Sequence, residues 1–86
     1  MPPRRQIKPR SPEHAALGEA IKQTRVQAGL SQEQLADLAE TDLTQIGGIE
    51  RGTRNPSYTS LLRLAAALKT RVGILTTLAD QLRDQG

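Results

Sequence analysis

Gly29-Leu30-Ser31-Gln32-Glu33-Gln34-Leu35-Ala36-Asp37-Leu38-Ala39-Glu40-Thr41-Asp42-Leu43-Thr44-Gln45-Ile46-Gly47-Gly48-Ile49-Glu50-Arg51-Gly52 is the stretch whose reading decides the fold. Two short helical patterns lie in it, over about 32–39 and about 43–51. Each has its own start signal. Ser31 with Gln34 spells a capping box, and Asp42 with Gln45 repeats the spacing. Two helices joined by so few residues must cross at a steep angle. That geometry pushes one helix outward, the arrangement that places a helix in a DNA major groove.

The rest of the chain must support this pair with little material. At 86 residues it is one small domain plus a tail, with a marginal core. Tyr58 is the sole aromatic residue, so the core is aliphatic, which suits closely packed helices. Val, Ile and Thr do not alternate in runs, so strands are not expected. Cysteine is absent, which rules out disulfides and cysteine-based metal sites. No apolar run is long enough to cross a bilayer, and the basic N-terminus is not followed by the apolar segment of a secretory signal.

The net charge of +3 is unevenly spread. Arg4, Arg5, Lys8 and Arg10 give +4 before the first acid. Residues 13–42 carry −4, residues 43–71 carry +4 and residues 72–86 carry −1. A positive face therefore lies beside the second short helix, where phosphate contact needs it.

Upstream, residues 1–10 hold three prolines, four basic residues and one large apolar side chain, Ile7. They cannot order themselves by burial. A basic arm on DNA and a solubilising tail are both compatible with that composition. Ser11-Pro12-Glu13 starts a helix running to about Ala28, with Leu17, Ala20, Ile21, Thr24 and Ala28 on its inward face and Gly29 closing it. His14 has no second His or Cys near it and reads as a solvated helix residue.

Within the opening stretch, Leu35, Leu38 and Ala39 face inward from the first helix, and Ile46 and Ile49 from the second. The N-terminus at Gln32 offers N–H groups and a side-chain donor to phosphate. Gly47 and Gly48 each cost roughly 1 kcal/mol against alanine in a helix. Close approach to DNA or to the neighbouring helix, or tolerance in a short helix held by packing, accounts for them. Downstream, Ser57 caps a fourth helix with Leu61, Leu64, Ala65 and Leu68 inward and Leu62 on a flank. A fifth helix runs from about Gly73 to about Arg83. Its apolar residues exceed what one edge of a small domain hides. Ile74, Leu75, Leu78 and Leu82 are therefore candidates for dimerisation, the other reading being closure of the domain's own core.

The blocks Gly29–Ala36, Ile46–Gly52, Arg54-Asn55-Pro56-Ser57 and Leu61–Leu68 resemble the Cro/C1-type helix-turn-helix family, also called xenobiotic-response-element-like. The match runs over about residues 15–78 in one register. The resemblance implies an all-α, five-helix, lambda-repressor-like domain over 11–86, binding double-stranded DNA as a homodimer on a palindromic operator. It implies a DNA-binding set of Gln32, Asp42, Leu43, Thr44, Gln45, Gly47, Gly48, Arg51, Arg54 and Asn55. It also implies a buried Arg25–Glu50 ion pair, where charge alone reads both residues as solvated. Glu40 departs from the family pattern, which commonly has Gly at the end of the second helix, and implies a different turn geometry. Leu43 and Gly48 lack polar groups where bases are often read, which leaves Thr44 and Gln45 to carry direct readout.

The function expected is a cytoplasmic, nucleoid-associated transcription regulator, repressor or activator. Glu33 and Asp37, one turn apart, offer acids to RNA polymerase in the way some family members do. The rival class is an antitoxin-type or other protein–protein module with secondary DNA binding. An enzyme is not supported. The carboxylates are dispersed, one His without Cys gives no nucleophile–base pair, and the glycines follow a helix rather than a strand. No metal, cofactor or membrane partner is called for.

Overall fold

The computed structural model describes residues 8–85, and its first four helices begin where the sequence places caps. They are α1 (Pro12–Gln27), α2 (Gln32–Leu38), α3 (Leu43–Arg51), α4 (Tyr58–Ala67) and α5 (Val72–Gln85). No strand forms among the described residues. Ser11, Ser31, Asp42 and Ser57 each accept a hydrogen bond from the backbone three residues on, at 2.8–3.1 Å. At α2 the box is reciprocal, with Ser31 N–H donating to Gln34 Oε1 at 2.8 Å. At α1 the Glu13 carboxyl is held below its ordinary value by a backbone hydrogen bond at the helix start and then by Ser11.

Helices α1 to α4 all end alike. Gly29, Glu40, Gly52 and Lys69 take φ values of 75°, 57°, 77° and 56°. In each case the next residue's N–H reaches back five positions, to the carbonyls of Arg25, Ala36, Gly48 and Ala65. Glu40 thus uses the left-handed turn that glycine would favour. The departure at this position changes the strain and leaves the geometry of the turn alone.

Each helix sends one fully buried side chain into a common core: Ile21, Leu35, Ile46, Leu64 and Leu75. A smaller seam between α1 and α5 holds Ala16, Ala20 and Ala79, with Leu17, Leu78 and Leu82 against it. Three expectations are corrected here, the first being Ala28, which is exposed at the C-cap of α1 rather than on its inward face. Leu38 is 58% exposed, because the inward face of α2 is centred on Leu35, Ala36 and Ala39 and Leu38 lies roughly a quarter turn away. Leu75 is completely buried in its own chain and so is not a dimer-surface residue.

Candidate nucleic-acid interface

The helix pair is held by one buried polar assembly. Arg25 Nε donates to Glu50 Oε2 at 2.7 Å, and its Nη2 donates to Oε1 at 3.1 Å. Its Nη1 reaches the Leu30 carbonyl at 2.8 Å. Gln32 Nε2 donates to Glu50 Oε1 at 3.0 Å. The side chains of Arg25 and Glu50 are only 11% and 3% exposed. One carboxylate therefore joins α1, the start of α2 and α3. Gln32, expected at phosphate, is half-buried and spends a donor inside the protein.

The approach of α1 to α3 is set by Gly18, a residue that no sequence pattern singles out. A β-carbon there would run into the backbone carbonyl oxygens of Ile49 and Glu50. Gly52 is similarly pressed against α1, where its β-carbon would lie 2.9 Å from Ala15 Cα. Its carbonyl accepts from Arg10 N–H at 2.8 Å, so residue 10 sits at the C-terminal end of α3. The arm expected over residues 1–10 lies outside the described residues as far as residue 7.

The outer face of α3 begins with Asp42, Leu43 and Thr44, all exposed, and Gln45, half-buried. One turn further on, the surface changes character. Gly47 and Gly48 are buried, not open to DNA. Arg51 folds back over Gly47, with Nη1 2.9 Å from where a β-carbon would stand. Arg54 lies across Gly48, with Cγ and Cδ 2.6 Å from the corresponding point. The glycines are thus explained by two arginines lying where side chains would otherwise be. The Gly48 carbonyl also accepts from Thr53 N–H, Thr53 Oγ1 and Arg54 N–H at 2.9, 3.1 and 3.2 Å, which pins the loop that carries Arg54.

Gln45 shows a further consequence. Its backbone N–H is capped by Asp42 at 2.8 Å, but its side chain does not complete a capping box. Its Oε1 accepts from Arg54 Nη1 instead. Arg51, Arg54 and Arg63 carry no ion pair among the described residues. The face around α3 therefore presents uncompensated guanidinium charge beside short polar side chains and the exposed Asn55. No group of metal-binding side chains gathers among the described residues, and no described helix is long and apolar enough to cross a membrane.

A helix-turn-helix family model matches residues 21–75, which takes in the ion pair, the helix pair and the arginine-bearing loop. The chain belongs to the Cro/C1-type helix-turn-helix family of DNA-binding regulators. It is 40% identical over 70 residues to control protein C.SmaI of Serratia marcescens, covering 81% of this chain and 83% of that one. It is 31% identical over 70 residues to the competence pilus inhibition repressor of Acinetobacter baylyi, of which it spans 64%. The crystal structure of the restriction-modification controller protein C.AhdI of Aeromonas hydrophila superposes with a TM-score of 0.75 at 38% identity, over 76% of this chain and 98% of that one. Controller protein C.Esp1396I, solved as a tetramer with its natural 35 base-pair operator, superposes at 0.77 with 29% identity, over 85% and 96%.

Between them, α4 and α5 leave an apolar groove of about 630 Å³ lined by Tyr58, Leu62, Ala65, Val72, Ile74 and Thr77 among others. Tyr58, Leu62 and Ile74 are 68%, 46% and 60% exposed. Of the residues expected at a dimer interface, Ile74 alone stands open here. Leu78 and Leu82 pack partly against α1.

Proposed function

We propose that this chain is a sequence-specific regulator of transcription that acts as a homodimer on a palindromic operator. The observation that carries the reading is the outer face of α3, where exposed Thr44, half-buried Gln45 and Arg51 stand on a helix braced by the buried Arg25–Glu50 tie, with Arg54 on the loop that follows and neither arginine in an ion pair among the described residues. Asp42, Leu43 and Asn55 complete the DNA-facing set, with Gly47 and Gly48 beneath it as spacers. The open Tyr58–Leu62–Ile74 face is the dimer surface in this reading. The operator complex of C.Esp1396I supports an oligomer on DNA. The setting is the cytoplasm, on the nucleoid.

Salt titration tests the DNA reading. Log affinity for random duplex should fall linearly with log salt, with a slope of about −0.9 per phosphate neutralised. Absence of any binding at low salt would favour the protein–protein module instead. Glu33 and Asp37 are exposed on α2 beside the open Leu38 and form the surface for RNA polymerase in an activating complex. Replacing both acids with lysine should abolish reporter activation and spare operator occupancy; activation that survives removes this part of the reading.

A further inference from the structure

We propose that Gln45 and Arg54 form one base-reading unit that prefers guanine over adenine, with Arg54 a specificity residue rather than a phosphate anchor. The inference rests on the DNA-binding reading above and adds the base it recognises. It follows from three observations. The first is the hydrogen bond from Arg54 Nη1 to Gln45 Oε1. A guanidinium has donors only, so the oxygen of the Gln45 amide must face Arg54 and the NH₂ group must face away. The second is the floor beneath it. Gly48 lies one turn beyond Thr44 and Gln45 on the same helix face, and the Arg54 stem occupies the space its side chain would fill. The third is the loop, pinned by three bonds to the Gly48 carbonyl, which fixes where Arg54 starts.

The chemistry that results is asymmetric. A glutamine reads adenine through both amide atoms, accepting from N6 and donating to N7. Gln45 Oε1 keeps a second lone pair, but with Arg54 donors beside it the pair presents more donors than acceptors, which disfavours the adenine pattern. Gln45 offers a donor, and Arg54 offers the remaining edge of its guanidinium. Donors in that pattern meet the O6 and N7 acceptors that guanine presents in the major groove. The two apolar gaps of α3, at Gly47 and Gly48, therefore admit polar readout from outside the helix.

Selection of bound sequences from a random duplex pool tests this, run in parallel for the unmodified chain and for Arg54→Ala, Arg54→Lys and Gly48→Ala. The unmodified chain should enrich guanine at one position of each half-site. Arg54→Ala should reduce that preference about tenfold or more and move the same position toward adenine, because Gln45 Oε1 is released. Arg54→Lys keeps the charge and loses the planar fork, so it should lose the preference as well. Gly48→Ala should do the same by displacing the Arg54 stem, with circular dichroism confirming the helices. A motif that survives Arg54→Ala at reduced affinity, and is restored in strength by Arg54→Lys, marks a phosphate anchor and overturns the inference alone. If the unmodified chain enriches no sequence, the DNA reading itself fails, and this inference with it.

Discussion

At the scale of single residues, Glu50 is the most consequential side chain in the molecule. It is 8% exposed, accepts from Arg25 twice and from Gln32 once, and so links three helices through one charge. Such a group adds little net stability over apolar packing, but removing one partner leaves the other charge buried and bare. Glu50→Ala should cost about 3–5 kcal/mol, a large part of what a small domain has. Arg25→Met combined with Glu50→Leu should cost clearly less than Glu50→Ala alone. Urea unfolding of the three variants measures this, and equal losses in single and double variants would argue against a buried pair. Charge and hydropathy do not reveal the pair, because both residues read as solvated until the fold brings positions 25 and 50 together. Only the family resemblance placed it. The reverse holds for Gln45, whose spacing from Asp42 spells a capping box that the structure half-completes, because Arg54 competes for the same oxygen.

At the scale of elements, the shared helix ending sets up a direct comparison. Gly29 and Gly52 adopt the left-handed conformation freely, whereas Glu40 and Lys69 adopt it at a cost of roughly 1–2 kcal/mol each. Glu40→Gly should therefore raise stability by about 1 kcal/mol after the entropy of glycine is counted, read as a higher urea midpoint with an unchanged slope. No gain would mean that the turn after α2 is not held left-handed in solution. Gly18→Ala opposes two effects of known size. Helix propensity favours alanine by about 1 kcal/mol. The added carbon meets the α3 backbone, which cannot rotate aside as a side chain can, and overpacking of this kind costs typically 1–3 kcal/mol. Packing should win and the variant should melt lower; a higher melting temperature would contradict the close α1–α3 crossing. The helices themselves were legible in the sequence, since caps and glycine stops are local signals. The Gly18 crossing was not, because a glycine inside a helix pattern looks the same whether it meets solvent or another backbone.

At the scale of the whole molecule, the faces proposed for DNA and for self-association are carried by different parts of the chain, with α3 and its loop on one and α4 with the start of α5 on the other. The fifth helix shows why helical periodicity is a partial guide to assembly. Four apolar residues read alike in the sequence, yet Leu75 fills the domain's own core, Leu78 and Leu82 lean on α1, and Ile74 stands open. Which stripe faces outward is decided by where α1 lies, and that is tertiary information. Ile74→Asp should therefore disrupt self-association, raising the dimer dissociation constant about a hundredfold, with the helical content retained. Sedimentation equilibrium checks this, and an unshifted mass distribution would move the interface elsewhere. The proposed function has the molecule reading DNA as a symmetric pair of α3 helices. Sequencing the duplexes that the unmodified chain selects from a random pool tests it most directly. The selected duplexes should hold an inverted repeat whose half-sites lie about 10–10.5 base pairs apart or a multiple of that spacing. A pool that returns no common sequence, or a single site without a symmetric mate, would contradict it.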